Sequence, residues 1–118
     1  MTSLIACLSS GKGTWGHVAR LISDQEWANI FLITNEFGKE NFKPEKPVEY
    51  ILINSNRLLP DLIDDIKKQL ETKIKDIEVA VNLISGSGKE HMAILSALLK
   101  LGVGIRLIAL TSEGIKEV

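Results

Sequence analysis

Two short segments of the chain have the composition typical of phosphate-binding loops. The first is Ser9-Ser-Gly-Lys-Gly-Thr-Trp-Gly-His17, and the second is Ser85-Gly-Ser-Gly-Lys-Glu-His91. Glycines let backbone amides turn toward an anion, a helix start adds a positive dipole end, and lysine adds a full charge. Side by side, the two segments predict a phosphate site. Its candidate ligand-binding residues are Ser9, Ser10, Gly11, Lys12, Gly13, Thr14, Gly86, Ser87, Gly88 and Lys89.

Several residues in these segments also have an ordinary structural interpretation. Ser87 and Glu90 have the S-x-x-E spacing of a capping box, which closes a helix start with or without a ligand. Trp15 is either a core anchor of its helix or a platform on which a base stacks. His17 and His91 lie in first helical turns, where neutral surface or capping histidines are common. With only two histidines and one apolar cysteine, we expect no metal site.

Two nucleotide-binding motifs are nearly matched. Gly11-Lys-Gly-Thr-Trp-Gly16 fits the dinucleotide pattern G-x-G-x-x-G, and Glu36 stands where a ribose-binding acid is expected. Two serines separate the preceding apolar run from Gly11, so the dinucleotide interpretation stays an alternative. Gly86-Ser-Gly-Lys89 resembles the end of a P-loop, but Leu83 replaces its first glycine and Glu90 replaces its magnesium-binding hydroxyl. These two replacements argue against an ATPase or kinase.

Strand-sized apolar runs alternate with helical periodicity along the chain. We predict strands at residues 3 to 8, 30 to 34, 48 to 53, 77 to 84 and 105 to 110. An apolar stripe at positions 15, 18, 19 and 22 predicts a helix that ends near Gln25. A longer stripe predicts a helix from 59 to 74, with Asn54, Ser55 or Asn56 as its cap and Pro60 in its first turn. The last predicted helix spans residues 90 to 101 and ends at Gly102 in the left-handed position.

Residues 35 to 47 are predicted as a long loop with at most one helical turn, because they hold Gly38, two prolines and alternating charges. This loop leaves the second strand at the sheet edge that also carries the two glycine-rich segments. We therefore expect Asn35 to join the ligand-binding residues and the loop to become ordered on binding. Phe37 or Phe42 would then stack on a base.

The alternation of strands and helices predicts an α/β fold. We expect a Rossmann-like, mainly parallel five-stranded sheet in the order 3-2-1-4-5, with helices on both faces. The 118 residues fit a single domain, 1–118. In this order the first and fourth strands are neighbours where the winding direction reverses, and ligands bind beyond the carboxyl ends of the strands there. The two glycine-rich segments follow these two strands.

Composition narrows the classes of function. Fourteen Lys and Arg against 15 Asp and Glu give a net charge of -1, which argues against binding to duplex DNA through a general basic surface. Cys7 is the only cysteine, so an internal disulfide and a CxxC metal site are excluded. No apolar run approaches the roughly 20 residues that span a bilayer, and no basic leader precedes the first strand. We expect a cytoplasmic protein that is complete at its start and needs no membrane or cofactor.

The segment from Asn82 to Leu110 resembles the late core of CRISPR-associated Rossmann fold (CARF) domains. That family has a strand, a Thr/Ser-Gly-Gly-Thr-Lys-like turn, an Ala- and Leu-rich helix, a glycine and a final core strand. This pattern resembles the turn from Ser85 to Lys89 together with the helix, glycine and strand that follow it. The family's other ligand loop resembles the segment from Ser9 to Thr14. The topology is similar over nearly the whole chain, the motif only between Asn82 and Leu110. Ser-Gly-Ser-Gly-Lys replaces the usual paired glycines and threonine, and Glu90 follows the lysine.

The resemblance implies a homodimer in type III CRISPR antiviral signalling. Its ligand would be cyclic oligoadenylate, a ring of adenylates joined by 3′-5′ phosphodiesters, held in a cleft across the two-fold axis. The family's ligand roles fall on residues 9 to 12 and 86 to 89. Some members cut their own ligand, which implies Lys89 and Ser10 as catalytic residues. The family's usual effector domain has no counterpart before Val118, so we expect any effector to be a separate protein.

Three functions stay open at this point. The first is a stand-alone sensor or sink for the cyclic messenger. The second is a metal-independent ring nuclease, in which a ribose 2′-hydroxyl attacks the neighbouring phosphorus. Lys89 or Lys12 would neutralise the developing charge, and Ser10 or Ser87 would fix the geometry. The third is a dinucleotide or mononucleotide binder that uses Gly11, Gly13 and Gly16.

Overall fold

The computed structural model describes all residues from Met1 to Val118. The strands are β1 (Ser3–Cys7), β2 (Ile30–Thr34), β3 (Glu49–Leu52), β4 (Glu78–Asn82), β5 (Gly104–Thr111) and β6 (Gly114–Glu117). The helices are α1 (Trp15–Asp24), α2 (Glu36–Asn41), α3 (Leu59–Glu71) and α4 (Gly88–Leu101), and a 3₁₀ turn at Lys12–Thr14 precedes α1. None of these helices combines the length and the apolar character that crossing a membrane requires.

All six strands form one sheet in the order β3-β2-β1-β4-β5-β6. β1 to β5 pair in parallel, so the predicted order 3-2-1-4-5 is confirmed for these five strands. β1 lies between β2 and β4, with Cys7 opposite Ile33 and Ala6 opposite Asn82. The architecture is therefore Rossmann-like α/β, and the carboxyl ends of β1 and β4 lie side by side.

The prediction of five strands is wrong by one strand. β6 pairs with β5 in the antiparallel direction through the turn from Thr111 to Gly114, where the Thr111 hydroxyl donates to the Gly114 carbonyl at 2.8 Å. The added strand covers the edge of β5, and Arg106 Nε donates to Glu117 Oε1 at 2.9 Å. Ile115 is the one apolar side chain of β6 that packs against the core. A strand with a single inward apolar residue has too little alternation for a sequence pattern to reveal it.

Residues 35 to 47 were predicted as a long loop with at most one helical turn, but they contain the six-residue helix α2, which is longer than one turn. Asn35 caps this helix: its Oδ1 accepts the Gly38 amide at 2.9 Å. Phe42, directly after the helix, is buried against α1. A side-chain cap and a buried anchor stabilise a helix that its own residues favour only weakly.

The predicted caps of α3 are also wrong. Leu58 occupies the N-cap position and makes no capping hydrogen bond with its side chain. Asn54 instead stabilises the turn before the helix, where its Oδ1 accepts the Asn56 amide at 3.0 Å. Pro60 lies in the first turn as predicted, because this position needs no amide donor. Gly102 ends α4 in the left-handed conformation, also as predicted.

The sheet is covered on both faces, which explains the uninterrupted apolar runs of β1 and β2. On one face, strand residues such as Ile5 and Phe31 pack against α3 and α4. On the other face, strand residues such as Leu4 and Leu32 pack against α1. All five residues of β1 and of β2 are buried. Both faces of the sheet are therefore buried at these two strands. In a sheet of this kind, ligands bind at the carboxyl ends of the strands, where the loops leave the sheet.

Candidate functional site

The first loop, residues 9 to 14, leaves β1 at the centre of the carboxyl edge. Ser9 folds back on the loop, because its hydroxyl donates to the Gly11 carbonyl at 2.8 Å. Ser10 is exposed, and its Oγ accepts Asn35 Nδ2 at 2.8 Å. Thr14 takes the N-cap position of α1 without a side-chain hydrogen bond. Asn35 thus borders this loop through a direct contact with Ser10, and its role in ligand binding stays a prediction.

The second loop, residues 85 to 90, leaves β4 and enters α4. The predicted capping box is confirmed: Ser87 Oγ accepts the Glu90 amide at 3.2 Å, and Glu90 Oε1 accepts the Ser87 amide at 2.8 Å. The Glu90 carboxylate is therefore turned back onto its own helix start. Gly86 has φ +105, and a Cβ on it would stand 2.5 Å from Cys7 Sγ. Only glycine lets the second loop pass this close to β1.

The structure brings the two loops into direct contact. Ser85 Oγ accepts the Ser9 amide at 2.7 Å and donates its own proton to Ser9 Oγ at 3.0 Å. Ser85 is only 1% exposed, whereas Ser10, Ser87 and Lys89 are exposed around it. The serines and glycines of both loops therefore belong to one polar surface at the switch point. The sequence places Ser85 where a strand meets a glycine, but nothing in it distinguishes this serine as the residue that joins the loops.

Both loop lysines lack a carboxylate partner. Lys89 Nζ donates to the Ser55 carbonyl at 2.9 Å, across the edge to the segment after β3. Lys12 Nζ lies over the rings of Trp15 and Phe37, at 5.7 and 5.8 Å from their centroids. Neither lysine takes part in an ion pair. Their positive charges are thus held at the edge by neutral groups and are not neutralised.

The aromatic residues near the first loop mostly belong to the core. Trp15 is buried, its Nε1 donates to the Ser9 carbonyl at 2.9 Å, and its ring meets Phe42 edge-on at 5.7 Å between centroids. The core-anchor interpretation of Trp15 is confirmed. The expectation that Phe42 stacks on a base is wrong, because the side chain is buried. Phe37, which is 43% exposed, is the remaining aromatic group that a base could reach.

Both histidines make internal hydrogen bonds, so neither is a plain surface or capping residue. His91 Nε2 lies 2.7 Å from the Ser85 carbonyl, which accepts only, so this nitrogen carries a proton. His17 Nε2 accepts the Leu110 amide at 3.2 Å and lies 3.2 Å from Asn82 Nδ2. His17 therefore ties α1 to the carboxyl ends of β4 and β5. Partial burial lowers the pKa of His17 below its ordinary value of 6.5.

We expect His17 to make folding stability depend on pH. Its folded pKa lies below the unfolded value of about 6.5, so between these two values the unfolded chain binds more protons. The contribution of neutral His17 is therefore complete above pH 6.5 and is lost as pH falls through the folded pKa. Urea unfolding between pH 7.5 and 5.5 should show a smaller pH slope for His17→Gln than for the parent. Equal slopes would contradict this assignment.

Cys7 lies beneath the two loops but is chemically quiet. Burial, with a smaller contribution from the nearby Glu90 carboxylate, raises the pKa of the Cys7 thiol to about 12. The thiolate, which is the reactive form, is thus suppressed. The chain contains no group of three or more His, Cys, Asp or Glu residues that could hold a metal ion. The polar groups exposed at this edge include backbone amides, the hydroxyls of Ser10 and Ser87, and the two loop lysines.

The glycines of the dinucleotide-like pattern do not serve close packing. A Cβ on Gly13 or Gly16 would meet no atom within 4 Å, and on Gly11 it would meet only Ser9 Oγ at 3.8 Å. In a dinucleotide fingerprint, the first glycine makes a tight turn, the second lets the backbone approach the pyrophosphate, and the third allows close helix–strand contact. Glu36 lies exposed in the first turn of α2. Gly16 has no close helix–strand contact, so the third of these roles is absent, which weakens the dinucleotide alternative.

No concave pocket of the chain lies at the two loops. The largest cavity, about 570 Å³, opens at the amino ends of β2 and β3 and is lined by nine residues that include Trp27 and Lys46. Two cavities of about 240 Å³ lie elsewhere, and none of the three is lined by residues 9 to 14 or 85 to 91. The polar surface at the switch point is therefore open to solvent. A ligand held there would need a second wall.

The fold and the paired loops define a Rossmann-like α/β protein with an open polar site at its switch point. No protein-family model and no curated protein matches the chain.

Proposed function

We propose that this protein binds cyclic oligoadenylate with its two carboxyl-edge loops, in a cleft shared by two copies of the chain. The observation that carries the proposal is the direct contact of the loops, with the Ser9 amide 2.7 Å from Ser85 Oγ. This contact joins two glycine-rich helix starts, each with an unneutralised lysine, into one anion-binding surface. Such a surface suits the phosphodiesters of a ring. The resemblance of residues 82 to 110 to CARF domains indicates the adenylate class.

The ring is either held intact or cut. In the cutting reaction a ribose 2′-oxygen attacks the phosphorus on its own 3′-oxygen, and the bond from phosphorus to the 5′-oxygen breaks. The 2′-hydroxyl proton passes to the departing 5′-oxygen, and the product carries a 2′,3′-cyclic phosphate. Lys89 would neutralise charge on the phosphate oxygens, and the exposed hydroxyl of Ser10 would orient the ribose. In either case the protein would act in cytoplasmic type III CRISPR signalling, alone or with a separate effector.

Titration with cyclic tetra- and hexa-adenylate, beside NAD and ATP, tests the proposal when it is followed by mass spectrometry of the ligand. We expect one of the two rings to bind and NAD and ATP to bind much more weakly. An intact ring after incubation identifies a sensor, whereas linear adenylates with 2′,3′-cyclic phosphate ends identify a ring nuclease. Binding of NAD or ATP without binding of either ring would overturn the proposal in favour of the dinucleotide or mononucleotide alternative.

An unpartnered apolar stripe supports the shared cleft. Met92, Leu95 and Leu99 repeat at i, i+3 and i+7 on the outer side of α4, and Met92 and Leu99 are exposed. A shallow apolar cavity between β4 and β5 lies on the same face of the sheet, with Leu107 in its lining. Exposed apolar surface of this kind marks interfaces. Because α4 starts at the second loop, a two-fold axis beside it would bring two copies of that loop together and supply the second wall.

We therefore expect light scattering to give a mass near twice the 13.0 kDa of one chain. Leu99→Glu, which puts a charge in the stripe, should shift the protein to the monomer. Leu58→Glu is the matched control, because Leu58 at 73% and Leu99 at 69% are similarly exposed and Leu58 lies at the start of α3. A parent protein that is monomeric with and without ring would contradict the shared cleft.

A further inference from the structure

Ser85 connects the two loops in a way that neither loop could achieve alone. Its side chain is buried, and its Oγ accepts a hydrogen bond from the Ser9 amide at 2.7 Å. The same hydroxyl donates a hydrogen bond to Ser9 Oγ at 3.0 Å. Its own carbonyl accepts His91 Nε2 at 2.7 Å. A continuous chain of hydrogen bonds therefore runs from α4 through His91 and Ser85 to the backbone of the first loop.

The chain of contacts has little freedom to rearrange. Gly86, the next residue, has φ +105, and a Cβ on it would stand 2.5 Å from Cys7 Sγ, so the second loop already passes close to β1 at this point. Every buried side-chain polar atom of the protein has a hydrogen-bond partner. Removing the Ser85 hydroxyl would leave the Ser9 amide without its acceptor, which is costly at a half-buried position. The conformation of the first loop thus depends on a residue of the second.

We infer that Ser85 and His91 are positioning residues, which make the two loops a single preformed anion-binding unit. His91 orients the Ser85 peptide, and Ser85 sets the Ser9 backbone, from which the amides of residues 10 to 13 continue. Neither residue needs to touch a ligand. The mechanical part of this inference stands on the hydrogen bonds alone, and its consequence for ligand affinity rests on the proposed function.

Amide hydrogen exchange, measured by NMR without ligand, tests the mechanical part. Ser85→Ala should speed exchange at the Ser9 amide by about tenfold or more, and the amides of Ile5 in β1 and Val81 in β4 should stay protected as internal references. Ser85→Thr, which keeps the hydroxyl, should restore slow exchange at Ser9. Unchanged exchange at Ser9 in Ser85→Ala would overturn the inference.

His91 supplies the more selective test, because it acts on Ser9 only through Ser85. His91→Ala should also speed exchange at the Ser9 amide, although residue 91 makes no hydrogen bond to residue 9. His91→Gln should restore protection, since a glutamine Nε2 can donate to the Ser85 carbonyl. If His91→Ala leaves Ser9 protected, or if Gln fails to rescue it while the references stay protected, His91 has no positioning role.

Titration with cyclic tetra- and hexa-adenylate then tests the consequence for affinity. Ser85→Ala and His91→Ala should each weaken binding of the ring that the parent binds by about tenfold, and Ser112→Ala in the exposed turn before β6 is the control that should bind like the parent. Parent-like binding by Ser85→Ala would show that the coupling is irrelevant to the ligand. If the parent binds neither ring, the proposed function fails, and the exchange measurements alone decide whether the loops are coupled.

Discussion

Lys89→Ala is expected to weaken binding of the adenylate ring by roughly 1.5 to 3 kcal/mol, or about 10- to 150-fold in Kd. The side chain stands in the first turn of α4, where the helix dipole already favours an anion. Its only partner is the neutral Ser55 carbonyl at 2.9 Å. The adjacent Glu90 does not cancel its charge, because that carboxylate is bonded to the Ser87 amide. A phosphate arriving at the loop would therefore meet a full positive charge.

Isothermal titration calorimetry with the preferred ring, tetra- or hexa-adenylate, measures this loss. Lys100→Ala is the matched control, since Lys100 is exposed on the last turn of the same helix and should not affect binding. Lys12→Ala should cost less than Lys89→Ala, because the Lys12 ammonium is held over Trp15 and Phe37. If the ring is cut, Lys89→Ala should slow cleavage by more than the loss in affinity. A Lys89→Ala protein that binds and processes the ring like the parent would remove this loop from the phosphate site.

Gly86→Ala is expected to destabilise the fold by about 2 to 5 kcal/mol, from the combined costs of left-handed backbone and of overpacking. The residue has φ +105, and its new Cβ would stand 2.5 Å from Cys7 Sγ, 3.1 Å from His91 Nε2 and 3.2 Å from Glu90 Oε1. The substitution would push the second loop away from β1, where Ser85 holds Ser9. Urea unfolding followed by circular dichroism measures the change in the free energy of unfolding.

Gly102→Ala separates the two causes. Gly102 also has a positive φ, +74, but a Cβ there would meet nothing within 4 Å, so only the backbone cost of about 1 to 2 kcal/mol is expected. Both substitutions restrict the unfolded chain equally, so this effect cancels in the comparison. Combining Gly86→Ala with Cys7→Ala removes the sulfur that the new methyl group meets. The double variant should lose less free energy of unfolding than the two single variants lose together. If the two losses simply add, the contact between the new methyl group and the sulfur does not contribute to the destabilisation.

Hydrophobic periodicity, together with the rules for crossovers in parallel sheets, was sufficient to predict the order of five of the six strands and most of the elements. β1 and β2 are apolar throughout because helices cover both faces of the sheet, and that pattern is visible in the sequence alone. The capping box at Ser87 and Glu90 and the left-handed Gly102 were also predictable, because each depends on residues within one helical turn of its end. β6 escaped prediction, and α2 is longer than the single turn that was predicted, since a partner strand and the burial of Phe42 stabilise these elements more than their own residues do.

The sequence by itself therefore determined the Rossmann-like frame and the two glycine-rich loops that leave neighbouring strands. Only the tertiary structure decided how these loops meet. Ser85 is one of several serines in the sequence. It connects the two loops because the register of β1 and β4 places its hydroxyl 2.7 Å from the Ser9 amide. Likewise, Lys89 reaches the Ser55 carbonyl only after α4 has packed beside the segment that follows β3. The Ser9–Ser85 contact joins residues that are 76 positions apart in the sequence, and the Lys89–Ser55 contact joins residues that are 34 positions apart. Both contacts depend on the packed geometry of the whole sheet, which no local pattern encodes.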